Sequence, residues 1–540
     1  MASIIPPIHR IPTETLSHIF IFLLKEDKVE EDSGYAYEDE EGDDSEDEGS
    51  SDESSVVDPL SALLVRSVCR RWHAVAESTP ELWVDLVGPC GSHWTHRALS
   101  LSKDCSLNLR VIHSDPTSYD PISFQSLLLK KYCFRSLFIV FPRLPDAANG
   151  ELQALLSSPL PRLESLVLDG GSSVSDYPLG QSTFAGQIPQ RLKILTLHCY
   201  PLLLQCPALH APLTCLKLWD CPAWESMNSL LGTLSNLPQL KIFSWEVMDD
   251  DTPFLNLPLS ASFEANPRLV HLPHMESINI RTEVERVTYL FAHVVIPTSC
   301  SISALSEFHN LQHDPIDDLY IALDIAFGER LLTAFPSTTD CQRSGFKKMS
   351  LCVFRLDYSA GATTIWREPT STSGPATFRL GFLPLPEDDE YQVHTHTLSI
   401  ISHILGNWPS TSHAVSQLHL HHNGFHFANP SHFTPENRPY PRLLGLLPSL
   451  EHIRAIDPAH GFFSAIAHPP REYLPLLRQL DLEYIDLSTG DYVDLVKVLK
   501  ARGDISNKET SARPPMTFGL KYCSLGGEYM PDVRMTLGAY

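Results

Sequence analysis

Six histidines crowd into one short stretch, His413, His419, His421, His422, His426 and His432. Neutral imidazole is a common ligand for zinc and related cations, so a metal-dependent hydrolase is one chemistry these residue types suggest. His419 and His421 alternate with Leu418 and Leu420, which places both imidazoles on the non-core face of a strand. Two imidazoles two residues apart can share a metal, yet nothing in the spacing fixes a third ligand. The plainer reading is exposed or loop histidines with no metal, and no cofactor is expected. Other catalytic signatures are missing: there is no G-x-x-x-x-G-K-[ST] phosphate loop, no G-x-S-x-G elbow and no H-E-x-x-H helix. The twelve cysteines contain no C-x-x-C pair, so neither a zinc ribbon nor a redox pair has its usual spacing. Reduced, buried thiols in a cytoplasmic or nuclear protein are expected.

The elements that carry these residues begin with a short apolar helix. In residues 11–24, IPTETLSHIFIFLL, the side chains Leu16, Ile19, Phe20, Leu23 and Leu24 recur at helical spacing. Pro12 suits a first turn, and Glu14 complements the positive helix start. Ile21 and Phe22 widen the apolar surface, so this helix needs cover on more than one side. A second helix is expected after Asp58-Pro59, with Leu60, Leu63, Leu64, Val68, Trp72, Val75 and Ala76 at helical spacing and Thr79-Pro80 as its stop.

Between the two lies an acidic tract. Residues 26–58 hold seventeen Asp or Glu against one Lys, a net charge of −16, so the other 507 residues carry only −9 of the total −25. Like charges at that density repel, and few apolar residues offset the lost chain entropy, so a disordered insertion is expected. Ser45 and Ser50 each have an acidic residue three positions later, the pattern of an acid-directed kinase site. The remainder of the chain lacks the basic surface that phosphate neutralisation requires, so nucleic acid is not an expected partner. The longest strongly apolar run, 19–24, is far too short to span a bilayer, and no membrane partner is expected.

Ile11-Pro12-x-Glu14-x-Leu16-x-x-Ile19-Phe20-x-x-Leu23, followed by Leu63-Leu64-x-x-x-Val68-Cys69-Arg70-x-Trp72 and Pro80-x-Leu82-Trp83, resembles the F-box motif. Members of that family dock a small Skp-type adaptor, which links them to a cullin–RING ubiquitin ligase. The resemblance implies that Pro12, Leu16, Ile19, Phe20, Leu23, Leu64, Val68, Cys69 and Trp72 form the adaptor-facing and supporting surface. Two features depart from it: Thr15 stands where an aliphatic residue is usual, and the acidic tract separates halves that are normally close. Loop-closure entropy grows slowly with length, so the insertion does not prevent the halves from meeting.

From about residue 100 onward a pattern recurs: an apolar residue, two others, an apolar residue, one other, an apolar residue. It appears at Leu163/Leu166/Leu168, Leu192/Leu195/Leu197, Leu213/Leu216/Leu218, Leu240/Phe243/Trp245, Met275/Ile278/Ile280, Phe346/Met349/Leu351 and Leu477/Leu480/Leu482. Proline often precedes it, as at Pro161, Pro189, Pro212, Pro238, Pro448 and Pro475, ending a preceding helix and setting an extended entry. Helix-like clusters lie upstream at Leu152, Leu155 and Leu156 and at Met227, Leu230, Leu231 and Leu234. The expected unit is therefore helix, proline turn, short strand, with irregular spacing between 280 and 415. Tyr492 to Arg502, closed by Gly503, reads as one more helix. Cys221 and Cys523 fall three positions after Leu218 and Leu520. The region resembles irregular leucine-rich repeats of the kind found behind F-boxes, especially in large fungal families.

The expected architecture is α/β: an F-box over 1–87, interrupted by the disordered acidic insertion at 26–58, then a leucine-rich-repeat solenoid over 88–540 with parallel strands and convex helices. A non-repeating α/β domain with parallel strands is the alternative. The function implied is a non-enzymatic substrate receptor of a Skp–cullin–F-box ligase. The catalytic cysteine or RING framework of ubiquitin transfer has no visible pattern here and would belong to partners. Glu164, Lys193, Lys217 and Trp219, between the apolar positions, are candidates for contacting an unknown target protein. An F-box scaffold that does not drive degradation is the rival within the same family, and the histidine-cluster hydrolase is the rival outside it.

Overall fold

The computed structural model describes residues 11–26, 60–85, 91–112, 127–140, 146–170, 178–247, 270–307, 320–328, 348–356, 359–367, 377–383, 403, 406–407, 415–422, 443–456, 462–467, 474–485, 493–500, 516–525 and 528–537, apart from 222, 298, 322, 475, 494 and 498. Of the acidic tract at 26–58, all but Glu26 lies outside them. The fold is mixed α/β and divides into two compact units, one of 1–225 with 232–240 and one of 226–231 with 241–540.

The first unit opens with helix α1 (Thr13–Glu26), for which the Pro12 carbonyl accepts the Leu16 N–H at 3.0 Å. Proline thus precedes the helix, where its carbonyl serves and its missing N–H costs nothing. The single helix expected over 60–76 is instead two, α2 (Leu60–Ser67) and α3 (Arg70–Ser78). Cys69 breaks the run: it is extended at φ −160° and ψ 167°, and its carbonyl accepts from His73 N at 2.9 Å, starting α3 afresh. Thr79, also extended, ends α3 ahead of a 3-10 turn at Pro80–Trp83, as the crowding between proline and its predecessor demands. Helix α4 (Gly91–Leu101) follows.

Five parallel strands come next: β1 (Leu107–Ile112), β2 (Phe134–Val140), β3 (Ser165–Asp169), β4 (Ile194–His198) and β5 (Cys215–Trp219), adjacent in chain order. Their register aligns Leu109, Leu137, Leu166, Leu195 and Leu216 in one row and Val111, Ile139, Leu168, Leu197 and Leu218 in the next. Both rows are buried, as are Leu163, Leu192 and Leu213, which lead in two residues before their strands. The apolar triplet therefore marks one entry residue and the two core-facing positions of a period-two strand.

The connections vary more than a uniform helix–turn–strand unit allows. Helix α5 (Asp146–Leu156) joins β2 to β3 and buries Leu152, Leu155 and Leu156. Between β4 and β5 only a 3-10 turn at Pro207–His210 forms. Pro201, Pro207 and Pro212 within that connection leave no stretch for an uninterrupted α-helix. Helix α6 (Met227–Ser235) has Met227, Leu230, Leu231 and Leu234 buried, matching the cluster seen in the sequence.

The second unit contains β6 (Ile242–Glu246), β7 (Ser277–Glu283), β8 (Ser301–Glu307), β9 (Lys348–Leu356), β10 (Ser359–Arg367), β11 (Thr377–Leu383), β12 (Gln417–His422), β13 (His452–Ile456), β14 (Gln479–Glu483), β15 (Met516–Lys521) and β16 (Val533–Leu537). Their spatial order is β6-β7-β8-β11-β10-β9-β12-β13-β14-β15-β16. Chain order breaks at β9–β11, where β10 is antiparallel to both neighbours. Two residues separate β9 from β10, and a parallel crossover needs a dozen or more, so only a hairpin closes there. Parallel order resumes from β9 through β15, before β16 closes the sheet antiparallel. Leu418, Ile453, Leu480 and Phe518 form a buried row like those of the first unit. Within the expected helix at 492–502, residues 493, 495–497, 499 and 500 are helical. Among the described residues, no helix is long and apolar enough to cross a membrane.

Candidate functional site

On α1 the side chains divide. Leu16 and Phe20, one turn apart, are fully buried, and the Phe20 ring tilts against Trp72 with centroids 4.9 Å apart. Ser17 and Thr79 share a hydroxyl hydrogen bond of 2.9 Å, and Arg71 donates to the Ile11 carbonyl, so α1 is held to α3 by polar and apolar contacts together. Trp83 is buried beneath α3 and donates from Nε1 to the Ala76 carbonyl at 2.9 Å. Glu77 gathers Arg97, Arg66 at 3.2 Å and His73 at 3.6 Å. Its hydrogen bond from Arg97 is the main reason its carboxyl sits below the usual carboxylate range.

Four other apolar side chains face outward. Ile19 is 39% exposed, Phe22 61%, Leu64 62% and Val68 58%. Ile19 and Phe22 are three apart on one face of α1, whereas Leu64 lies on α2 and Val68 just past its end. Of the nine residues singled out by the F-box resemblance, Pro12, Ile19, Leu64 and Val68 are exposed, and Cys69 and Trp72 half-buried. Leu16 and Phe20 sit inside, supporting the exposed ones, and the side chain of Leu23 lies outside the described residues. In the sequence Phe22 only widens the apolar surface; its i, i+3 spacing from Ile19 was the signal that the two share a face.

The strand positions between the buried rows carry charge and aromatic groups. Lys217 stands over the Trp219 ring at 5.9 Å, and both are half-buried; Glu164 and Lys193 sit just ahead of β3 and β4. Asp169 Oδ1 meets His198 Nδ1 at 2.8 Å. That bond, followed by one with Cys199, pushes the His198 imidazole up to about 10. In the second unit Arg454 donates to both carboxylate oxygens of Glu483, at 3.1 and 2.7 Å, and Arg281 pairs with Glu246 at 3.0 Å. Asp481 Oδ2 is shared by His452 at 2.9 Å and Gln479 at 2.6 Å. A β-carbon on Gly519, opposite in β15, would stand 2.6 Å from Asp481 Oδ1. Gly519→Ala is accordingly expected to turn Asp481 away from His452 and to cost about 1 kcal/mol in urea denaturation. In an Asp481→Ala background the same change is expected to cost nothing further; equal costs in both backgrounds would refute the steric account.

Of the histidine cluster, His419 lies half-buried on β12, edge-on to His452 at 6.1 Å. His421 and His422 are in the same strand with side chains outside the described residues, where His413, His426 and His432 also lie. All nine described cysteines are free thiols. Burial pushes Cys206 up to about 11 and Cys221 up to about 12, so these two are neutral packing groups.

A turn invisible in the sequence recurs after four strands. Cys199, Asp220, Tyr484 and Tyr522, each directly following a strand, have φ of 49°, 49°, 56° and 54°. Left-handed backbone at a non-glycine residue is costly, and it aims the next residue inward: Tyr200, Cys221, Ile485 and Cys523 are all buried. The cysteines noted at 221 and 523 fill this inward position. Compared with known proteins, the chain matches no family model and no curated protein.

Proposed function

We propose that the chain is a substrate receptor of a Skp–cullin–F-box ubiquitin ligase, with no catalytic chemistry of its own. The observation that carries this reading is the division of apolar side chains on the amino-terminal helices. Leu16 and Phe20 anchor α1 from within, while Ile19, Phe22, Leu64 and Val68 stay in water. Covering such side chains is worth about 1.5–3 kcal/mol each when burial is complete, so a protein partner that seals both pairs gains enough to dock. The F-box resemblance, which takes in Leu16, Ile19, Phe20, Leu64 and Val68, points to a Skp-type adaptor as that partner. The irregular leucine-rich-repeat solenoid is the companion proposal for the strand-bearing region. The aligned rows of buried leucines and the chain-ordered parallel strands β1–β5 support it. The charged and aromatic positions between those rows would then meet the target. Recruitment acts by proximity: holding the target beside the ubiquitin-loaded enzyme raises its effective concentration.

The test is affinity purification of the full-length chain beside the triple variant Ile19→Asp, Leu64→Asp, Val68→Asp. These positions are exposed, so the variant is expected to keep its helical signal and melting temperature while adaptor and cullin recovery falls about tenfold or more, equivalent to 1.4 kcal/mol or more of docking energy. Target proteins are expected to stay bound to both forms. Undiminished adaptor recovery by a folded variant would overturn the assignment.

A further inference from the structure

The carboxyl ends of β3, β4 and β5 bring Asp169, His198, Cys199 and Asp220 together. Cys199 and Asp220 occupy the same left-handed position in consecutive strands, and Cys199 N–H donates to the Trp219 carbonyl at 2.8 Å, locking the two turns side by side. One ligand atom from each of His198, Cys199 and Asp220 falls within 4.8 Å of the others. We propose that this cluster is a binding site for a zinc-class divalent cation, held by a His198 ring nitrogen, the Cys199 thiolate and the Asp220 carboxylate.

The donor types select the ion. One sulfur, one nitrogen and one oxygen suit zinc or cobalt, whereas magnesium and calcium take oxygen donors throughout. Donors about 2.0–2.3 Å from a tetrahedral ion stand about 3.3–3.8 Å apart, so small side-chain rotations close the set. Asp169 completes the arrangement from behind. With its Oδ1 2.8 Å from His198 Nδ1, it fixes the ring and directs Nε2 to the ion, the usual carboxylate–histidine–metal relay. Cys199 is buried and His198 and Asp220 half-buried, so the site is shielded yet reachable. Three protein donors leave a fourth position for water.

The second unit supplies an internal comparison. There the equivalent left-handed positions hold Tyr484 and Tyr522, which stack at 5.0 Å. The geometry of the column thus brings neighbouring side chains near one another, and among the described residues the pair after β4 and β5 is a thiol and a carboxylate beside a histidine. The proposal stands apart from adaptor docking and would survive its failure.

The experiment is elemental analysis of full-length protein purified without chelator, followed by cobalt titration of the stripped protein. About one zinc per chain is expected, with a thiolate-to-cobalt charge-transfer band on titration. Cys199→Ser is expected to abolish that band, and Asp169→Asn to weaken cobalt binding about 10–100-fold while leaving the band intact at saturation. Asp481→Asn, at the separate His452–Asp481 pair, is expected to change neither. Circular dichroism establishes that each variant is folded. The absence of a charge-transfer band in the unsubstituted protein, or its persistence in Cys199→Ser, would overturn the proposal.

Discussion

Leu195→Ala is expected to destabilise the first unit by about 2–5 kcal/mol, while Ile194→Ala, one residue earlier in the same strand, changes it by no more than about 0.5 kcal/mol. Leu195 is wholly buried and Ile194 is 38% exposed, although both are aliphatic and adjacent. The difference comes from the row in which Leu195 sits. Leu166 and Leu216 flank it in register on the two neighbouring strands. Those strands are fixed by backbone pairing, so neither flank moves in to fill the space a truncated side chain leaves. A cavity that cannot collapse carries the full cost of lost contacts. The measurement is a urea midpoint for each variant with native-state hydrogen exchange of the β3–β5 amides. Similar losses from the two substitutions would mean that the rows are not the core.

That alternation was legible in the sequence because it is local. A leucine triplet reports the period of a strand, and a proline upstream reports where the strand begins; both signals sit within ten residues. Three features lacked a local signal. The helical spacing from Leu60 to Ala76 runs unbroken through Val68 and Cys69, yet Cys69 is extended. No glycine or proline marks that break, and the apolar period of two short helices in series imitates one long helix. The left-handed residues at Cys199 and Asp220 are hidden for a similar reason, since non-glycine residues there give no compositional warning. The cluster of Asp169, His198, Cys199 and Asp220 was missed because its members sit on strand ends more than twenty residues apart in the chain, and alignment of successive strand ends is what would have collected them. The exposed helical residues were a different matter. The sequence named Ile19, Leu64 and Val68 through a motif, but hydrophobic periodicity treats an apolar residue awaiting a partner the same as one already covered. Exposure alone separates them from Leu16 and Phe20.

Trp83→Ala is expected to cost the amino-terminal helices about 3–5 kcal/mol, and to remove adaptor recovery although Trp83 itself contributes no exposed surface. The indole is 1% exposed, and its N–H satisfies the Ala76 carbonyl near the end of α3 at 2.9 Å. Beside it Val75, Ala76 and Leu82 are buried as well, so removal of the ring leaves this small apolar cluster without its largest member. So few helices bury little surface in total, and one side chain is a large share of what holds them. Trp83→Phe separates the two contributions: most of the volume stays, the hydrogen bond is lost, and about 1–2 kcal/mol is expected. Thermal melting of the helical signal, read with adaptor recovery, makes the outcome specific. The Trp83→Ala variant is expected to lose docking together with stability, whereas the Ile19, Leu64 and Val68 triple variant loses docking with stability intact. If Trp83→Ala melts early but still recovers adaptor in full, the arrangement of α1, α2 and α3 is not what presents the docking surface, and a linear segment of the chain must be sufficient.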